Sequence, residues 1–379
     1  MSKPDDIIAN LNKKHKTDII TKDREGVTFN IKERVPFITA PFTYLFHGGF
    51  PIHTLWEVSG VESGGKTTFC LATAGQFQRY YKKKWEDEVN ELKSIDKLNK
   101  NQKARLDELL TDGYKKVVWL DSEHSMDIEW AIKNGLDVDD IIYIKPQEDS
   151  AESLLDDTID LIRSNGVCLL VVDSVSNLTS GAALSKSLED RTYCGISGPL
   201  TSWTGKLLPL LNKYDCTVIC VNQERDVINS MFPQSRTPGG RAFKYGCHVR
   251  VAFRKGKAID ETCSEIPNKE ESYYGNMSEV QILKNKITKP DRRCCKFTIT
   301  YDKGIYSIND TLFMAISLGL IKKAGAWFSI VDENGEVVVH NNGDIMKWQG
   351  QANTLKYLEE HNDVYQEIYN KVMELITQE

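Results

Sequence analysis

Four features are scarce or missing in this sequence of 379 residues, and each excludes a class of protein. No apolar run reaches the roughly 18 residues that a membrane-spanning helix needs, and the first residues do not resemble a signal peptide. The nine cysteines include no C-x-x-C pair, which is typical of reduced, mostly buried thiols in an intracellular protein. The formal net charge of −6 gives no overall attraction to nucleic acid. We therefore expect a cytoplasmic protein in which any contact with DNA comes from a local basic or glycine-rich surface.

A glycine-rich stretch that fits G-x-x-x-x-G-K-[ST] organises the chain. Residues 55–58 before it predict a strand and residues 69–74 after it begin a helix, which argues against a chance glycine turn. In this context, backbone N–H groups and the helix N-terminus can hold a polyphosphate. Lys66 is expected to contact the β- and γ-phosphates, and the Thr67 hydroxyl to bind Mg²⁺. The stretch consists of Gly60, Val61, Glu62, Ser63, Gly64, Gly65, Lys66, Thr67 and Thr68.

Three further apolar runs, at residues 116–120, 167–172 and 217–221, are each followed at once by polar side chains. Helical patterns lie between them, and continuous apolar strands of this kind are typical of a buried parallel sheet with crossover helices. We therefore expect an α/β fold with a mostly parallel sheet. Ligands of such sheets gather at the carboxyl ends of the strands, so the polar groups and the glycine loop should meet at one edge.

The polar groups at these strand ends suit the hydrolysis of a nucleoside triphosphate. Asp173, the carboxylate that follows a buried strand, can bind the Mg²⁺ that accompanies the nucleotide. Glu123 is the best-placed carboxylate to orient or deprotonate the attacking water. Gln223 can form a hydrogen bond with the γ-phosphate and signal its presence to the segment that follows.

That segment, residues 224–241, is longer than most loops without regular structure, and such loops are usually functional or disordered. It contains arginines, the apolar pair Met231 and Phe232, and two successive glycines. Arginines and backbone N–H groups can bind phosphates, and apolar side chains can insert between bases. The segment indicates a loop that binds single-stranded DNA or, as the alternative, a flexible lid over the nucleotide. A second loop, residues 180–195, follows the Asp173 strand and faces the same edge.

Two other segments have helical patterns without an obvious partner. Residues 5–15 place three apolar side chains on one helical face, which either covers the protein's own core or docks on a neighbouring subunit. Residues 79–116 mix lysine with acidic residues around a few apolar positions at helical spacing. We interpret them as an inserted, charged helical hairpin, either a solvated excursion or an arm that binds a partner.

Taken together, these motifs resemble the RecA family of strand-exchange proteins, in the same order and spacing, from about residue 37 to about residue 375. The resemblance rests on motifs at the strand ends, which are residues 60–68, 121–127, 171–175 and 222–223, and on the loop that carries 231–232 and 239–240. It implies that Glu123 activates water and that Gln223 senses the γ-phosphate. It also implies that Asp127 and Trp130 lie against the adenine.

The resemblance further implies which residues contact DNA and which reach a neighbouring subunit. The DNA contacts lie in the loop near residues 181–195 and at Ser202, Lys206, Arg225, Met231, Gly239, Gly240 and Arg241. Lys284 and Lys286 share one face of the strand at residues 280–287, because side chains of a strand alternate. Without the resemblance, the two lysines would be interpreted as charges on an edge strand that discourage aggregation. In the family, two lysines of this spacing reach across the subunit interface to the neighbour's ATP phosphates.

The resemblance divides the chain into three parts. We expect an N-terminal oligomerisation segment at 1–36, a RecA-type P-loop ATPase core at 37–305 with the insertion at 79–116, and a small α+β C-terminal domain at 306–379. The core should contain the mostly parallel sheet flanked by helices, and the family's C-terminal domain gathers duplex DNA. The inserted hairpin suggests a divergent, phage-encoded member of the family.

The function that the resemblance implies is that of an ATP-dependent DNA recombinase. With ATP and Mg²⁺ it would form a helical filament on single-stranded DNA and exchange strands with a homologous duplex, in recombination and repair. Further partners would be single-strand-binding or mediator proteins, with no membrane involved. Two other functions remain open: a hexameric DNA helicase, and an ATP-gated mediator or regulator of recombination that hydrolyses little ATP.

Overall fold

In the computed structural model, the described residues are 12–14, 33–187, 195–226, 235–267, 273–332, 334–339 and 345–377. In chain order, the first elements are β1 (Arg34–Val35), α1 (Ala40–Leu45), β2 (Phe50–Pro51), β3 (Leu55–Gly60), α2 (Lys66–Ser94), α3 (Lys100–Asp112), β4 (Lys116–Asp121), α4 (Ile128–Lys133), β5 (Ile141–Ile144), α5 (Ala151–Arg163), β6 (Val167–Asp173), α6 (Gly181–Leu184), α7 (Ser197–Lys213) and β7 (Thr217–Val221). They are followed by β8 (Arg225–Asp226), β9 (Ser235–Arg236), α8 (Gly240–Gly246), β10 (Val249–Ile259), β11 (Glu265–Ile266), β12 (Gly275–Asn285), β13 (Cys294–Thr300) and β14 (Gly304–Ile305).

Within the described residues, ten strands form one sheet in the order β14-β13-β12-β10-β3-β7-β6-β4-β5, with β11 paired to β10. The strands from β10 to β5 in this order pair in parallel, whereas β12, β13 and β14 are antiparallel. The predicted α/β fold with a mostly parallel sheet is confirmed, and so are the three predicted strands. The carboxyl ends of β3, β7, β6 and β4 lie side by side, and these are the ends that carry the polar groups.

Helices cover both faces of the sheet and hold these strand ends in place. On one face, the ring of Phe42 from α1 stacks on the ring of Phe69 from α2, with their centroids 4.5 Å apart. On the other face, α5 and α7 bury an aliphatic layer, and Trp203 Nε1 donates a hydrogen bond to Thr158 Oγ1 at 3.0 Å. Fully burying one large apolar side chain contributes about 1.5–3 kcal/mol, so these layers give the site a rigid support.

The helix that begins at the phosphate loop is long. α2 continues for 29 residues without a break, and α3 folds back against its outer half. Trp85 Nε1 donates to the Leu109 carbonyl oxygen at 2.8 Å, and Arg105 Nε donates to Glu88 Oε1 at 2.7 Å. The first arm of the expected hairpin is therefore the outer half of the phosphate-loop helix and not a separate element.

The described C-terminal residues form a small α+β unit. Its elements are α9 (Ser307–Ser317), β15 (Ile321–Ala324), β16 (Trp327–Ile330), β17 (Lys347–Gln349), α10 (Gln351–Glu360) and α11 (Asn362–Thr377), and the three strands make an antiparallel sheet. The apolar core of this unit contains Leu312, Phe328 and Val372, and it continues into the large sheet through Ile259 and Met277. The two parts share this core. The domain boundary at residue 306 therefore stays a prediction.

The N-terminal expectations concern residues that are largely not described. The helix expected at residues 5–15 lies outside the described residues apart from 12–14, as does most of the oligomerisation segment at 1–36. Among the helices that the structure describes, none combines the length and the apolar character needed to cross a bilayer.

Candidate active site

The glycine loop between β3 and α2 has a backbone shape that glycine permits. Gly60 has a φ of 142°, and a Cβ there would lie 2.1 Å from the Phe253 carbonyl oxygen of β10. Gly65 has a φ of 92° at the start of α2, and a Cβ there would lie 2.7 Å from Ile299 Cδ1. Ser278 Oγ donates to the Gly64 carbonyl oxygen at 2.6 Å. The loop is therefore fixed against β10, β12 and β13, as a preformed phosphate site requires.

Lys66 and Thr67 bring the loop into contact with the end of β6. Lys66 Nζ donates to the carbonyl oxygens of Gly60 at 3.1 Å and Val61 at 2.6 Å. Burial lowers the pKa of Lys66, and the carboxylates of Asp173 and Glu123 act in the opposite direction. Thr67 Oγ1 donates to Asp173 Oδ2 at 3.0 Å, which joins the two groups predicted to bind the metal.

Asp173 fits a divalent cation. Burial, and next the charge of Glu123, raise the pKa of Asp173 to about 7, while the hydrogen bond from Thr67 lowers it. Its Oδ1 is buried and has no hydrogen-bond partner among the described residues. An unpaired carboxylate oxygen beside a hydroxyl is the kind of oxygen ligand that Mg²⁺ takes. Asp173 and Thr67 are therefore the residues that would hold the metal, and metal binding would favour the ionised form of the carboxyl.

The three predicted strand ends meet at Glu123. Glu123 Oε1 accepts a hydrogen bond from Gln223 Nε2 at 2.7 Å and another from Ser174 Oγ at 2.7 Å. Its backbone N–H donates to the Asp173 carbonyl oxygen at 3.3 Å. The turn that carries Glu123 is shaped by Asp121, whose Oδ2 accepts from two backbone N–H groups just after it. The Glu123 carboxylate thus contacts residues that follow β6 and β7, as expected when the carboxyl ends of parallel strands share one edge of the sheet.

The residues expected beside the adenine lie next to the phosphate loop. Asp127 is the N-cap residue just before α4, and its Oδ1 accepts from the backbone N–H of Trp130 at 3.0 Å. Trp130 Nε1 donates to Thr68 Oγ1 at 3.1 Å, which attaches the indole ring to the first turn of α2. An aromatic face in this place is available for stacking on a base.

A sequence model of the RecA N-terminal domain matches residues 108–306, more than half of the chain. The chain belongs to the RecA family. It is 32% identical to the protein named RecA of Petrotoga mobilis, over 84% of this chain and 73% of that protein. It is 30% identical to RecA of Haemophilus ducreyi over 87% of this chain and 74% of the relative, and 28% identical to RecA of Ruminococcus albus over 86% and 68%. Membership makes it a RecA-type recombinase, in a family of DNA-dependent ATPases.

In this RecA-family protein, two of the expected DNA contacts lie outside the described residues: Met231, and residues 188–194 of the loop near 181–195. Arg225 is exposed on β8, where its partner in register is Arg236 of β9. Ser202 and Lys206 are exposed on α7, and Lys206 Nζ forms a 2.6 Å ion pair with an exposed aspartate of α5. An ion pair of this exposure is weak, so the lysine can exchange it for a phosphate.

The glycine pair at the end of the loop packs against α7. Gly239 and Gly240 have φ angles of 101° and 77°. A Cβ on Gly239 would lie 3.0 Å from Leu200 Cδ1, and one on Gly240 would lie 3.0 Å from Ser197 Cβ. Arg241 is exposed in the first turn of α8. The glycines therefore bring the loop end close to the helix that carries the other expected DNA contacts.

Lys284 and Lys286 lie together, although β12 ends at Asn285 and not at residue 287 as expected, so Lys286 is the first residue beyond the strand. Lys284 Nζ donates to the carbonyl oxygens of Lys244 and Tyr245, both at 2.8 Å, and Lys286 Nζ donates to the Tyr245 oxygen at 3.2 Å. The two ammonium groups thus bind the last carbonyls of α8, where positive charge is favourable. Burial, and next the charge of Lys286, lower the pKa of Lys284.

Sequence reasoning missed several residues that shape the RecA-family site. Ser174 is one of them, although it follows Asp173 directly at a strand end. Glu57 is another, and its signal in the sequence is a charged residue within an apolar run, which indicates a buried pair. Its partners are Asn222 and Arg250, which are remote in sequence.

Proposed function

We propose that this RecA-family protein is an ATP-dependent recombinase that assembles on single-stranded DNA and exchanges strands with a homologous duplex. The observation that carries the proposal is the direct hydrogen bond between Gln223 and Glu123, beside Asp173 and the phosphate loop. It joins the group that would activate water to the strand end that leads into the DNA loop. A protein that only bound ATP would have no need of Glu123 in this position.

In the proposed reaction, Lys66 and the backbone N–H groups of the glycine loop bind the β- and γ-phosphates, and Thr67 and Asp173 are the residues that would hold the metal ion. Bound Mg²⁺ neutralises charge on the phosphates. Glu123 takes a proton from the attacking water. Hydrogen bonds from two neighbouring strand ends hold its carboxylate in one orientation, as a general base requires.

The Gln223 amide is the proposed link between nucleotide and DNA. In the structure its Nε2 donates to Glu123 Oε1, and in the complex with ATP the same group would donate to the γ-phosphate. Arg225 follows two residues later, at the start of the proposed DNA loop. A shift of the Gln223 side chain would therefore pass into the loop through a short stretch of backbone.

The proposed DNA surface is local and basic. Lys206, Arg225 and Arg241 supply positive charge, and the backbone at Gly239 and Gly240 can approach phosphates closely. The net charge of the chain is −6, so DNA binding should rest on these few residues and weaken steeply as salt rises. Filament assembly would add the N-terminal segment and the two lysines of the β12 region, and mediator or single-strand-binding proteins would act on the filament.

The experiment that tests this function is ATP hydrolysis with and without circular single-stranded DNA, on a sample that is also imaged by electron microscopy. We expect stimulation of at least about tenfold and helical filaments, followed by strand exchange when a homologous linear duplex is added. A heterologous duplex is the control. Closed rings with directional unwinding would instead indicate a helicase, and intact ATP binding with negligible turnover would indicate a mediator.

Lys284→Ala is expected to retain ATP binding but to lose DNA-stimulated turnover by about a hundredfold, the typical cost of removing one group that stabilises the transition state. The reason is the proposed role of Lys284 in the neighbour's ATP site. The measurement is DNA-stimulated phosphate release, with Lys289→Ala, an exposed lysine just beyond β12, as the matched control.

A mixing experiment separates a role in trans from local damage to α8. Subunits with Lys284→Ala keep an intact site of their own, whereas subunits with Glu123→Gln keep an intact lysine for their neighbour. Mixed filaments should therefore hydrolyse more ATP than the sum of the two variants alone. Turnover equal to that sum would contradict the trans role.

A further inference from the structure

Glu57 is a buried charge in the strand that leads into the phosphate loop. It lies in the middle of β3 and is fully buried. A buried carboxylate is costly unless it is paired and hydrogen-bonded. Both of its oxygens are satisfied: Oε1 accepts from Asn222 Nδ2 at 2.8 Å, and Oε2 accepts from Arg250 Nε in an ion pair. The two partners come from different parts of the sheet: Asn222 follows β7, and Arg250 lies in β10.

Asn222 contacts two parts of the molecule with a single amide group. Besides Glu57, its Nδ2 donates to the carbonyl oxygen of Pro238 at 3.1 Å. Pro238 immediately precedes Gly239, at the far end of the proposed DNA loop. The backbone N–H of Asn222 donates to the Val58 carbonyl oxygen at 2.9 Å, so the start of the loop is also attached to β3. Both ends of the loop are thus fixed at one point beside the phosphate-loop strand.

Strand pairing places Glu57 and its partner Arg250 next to Lys284. Glu57 of β3 lies in register with Arg250 of β10, and Arg250 lies in register with Lys284 of β12. Lys284 in turn binds the last carbonyls of α8, the helix that begins with the loop's glycine pair. Glu57, Arg250 and Lys284 are therefore neighbours across three adjacent strands, and Lys284 connects the last of these strands to α8.

We propose that Glu57 and Asn222 form a bridge that positions the Gly239 end of the DNA loop relative to the nucleotide site. The inference rests on the proposed DNA-stimulated hydrolysis, and it assigns positioning roles to residues that do not touch the nucleotide. Asn222 is adjacent to Gln223, so a shift of the Gln223 strand end moves the amide that holds Pro238. Hydrogen bonds to a buried carboxylate that is paired with a cation are strong and directional. The bridge of Glu57 and Asn222 can therefore move both ends of the loop together.

The test compares Asn222→Ala and Asn222→Ser with the wild type. Alanine removes both bonds, whereas serine keeps a hydroxyl donor in this buried place, one bond shorter than the amide and too short to span both acceptors. We expect each variant to bind ATP normally and to keep DNA-independent hydrolysis within about twofold, while DNA stimulation falls by about tenfold or more. The serine variant provides a folded test case if alanine leaves Glu57 too poorly paired to fold.

A second readout distinguishes positioning from a general structural defect. The affinity for a fluorescent oligo-dT is measured with ATPγS and with ADP, and the ratio of the two affinities reports the coupling. It should approach one in both Asn222 variants. Glu57→Gln keeps a neutral acceptor for the Asn222 amide and is expected to retain most of the ratio.

The outcomes are distinguishable. Wild-type stimulation and a wild-type affinity ratio in the Asn222 variants would overturn the bridge and leave the proposed function intact. Equal losses of ATP binding, basal turnover and DNA response would also overturn it, because they indicate damage to the fold alone. A wild type without DNA stimulation would overturn the proposed function, and this inference with it.

Discussion

Glu123→Gln is expected to lower the turnover of ATP by about 10²- to 10⁴-fold while leaving ATP affinity within a small factor of the wild type. The glutamine amide has the shape of the carboxylate but cannot accept a proton from water. Its carbonyl oxygen can still accept the hydrogen bonds that Ser174 Oγ and Gln223 Nε2 donate to Glu123 Oε1. The site should therefore stay assembled, and filaments on single-stranded DNA should persist.

Single-turnover phosphate release and equilibrium binding of a fluorescent ATP analogue measure the two quantities separately. Glu129→Gln is the matched control, because Glu129 is close to Glu123 in sequence and is exposed in the first turn of α4. We expect its turnover to equal that of the wild type. A Glu123→Gln protein that hydrolyses ATP at a third of the wild-type rate or faster would show that another group activates the water.

Asp310→Asn is expected to make the protein more stable at neutral and alkaline pH. Asp310 is buried in α9, where burial raises its pKa to about 8 from the ordinary 3.8, against the hydrogen bonds from Thr298. Because the pKa of Asp310 is higher in the folded state than in the unfolded state, its contribution to the free energy of unfolding is complete only below the unfolded-state pKa. Stability is then lost at up to about 1.4 kcal/mol per pH unit as the pH rises towards about 8. Asparagine cannot ionise, so the variant lacks this loss.

Asparagine can keep the hydrogen bonds that Asp310 accepts through Oδ1. Its Oδ1 accepts from the backbone N–H of Thr298 at 2.9 Å and from Thr298 Oγ1 at 2.8 Å, bonds that an amide oxygen can also accept. Its Oδ2 is buried without a hydrogen-bond partner among the described residues. Ionisation therefore places charge on an oxygen that has no donor, which is the origin of the cost.

Urea unfolding at about pH 5 and about pH 8 measures the effect as a difference between variant and wild type. The difference should grow by a few kcal/mol, in favour of the variant, between the two pH values. Asp363→Asn, an exposed aspartate in the first turn of α11, should show no such growth. Parallel pH profiles for Asp310→Asn and the wild type would show that Asp310 is ionised in the folded protein at both values.

The fold class and the centre of the active site could be predicted from the sequence because their signals are local. A continuous apolar run followed by Asp173 identifies a buried parallel strand and its carboxyl end within ten residues of chain. The carboxyl ends of such strands share one edge, so the sequence alone predicts that Glu123 and Gln223 lie beside Asp173. The alternation of a strand placed Lys284 and Lys286 on one face in the same way.

Other features depend on which distant segments are buried together. The sequence could not show that Glu57 pairs with Asn222 and Arg250, because those partners are 165 and 193 positions away and nothing local specifies them. Nor could it show that the phosphate-loop helix continues to Ser94, since its charged outer half is held by packing against α3 and not by periodicity alone.

The sequence by itself determined the α/β class, the phosphate loop and the polar groups at the strand ends, because backbone geometry and short-range periodicity are set by neighbouring residues. Only the tertiary structure decided the pairing of the buried charges and the burial that raises the pKa of Asp310. The pKa of a buried group depends on the burial and the partners that the whole fold creates around it.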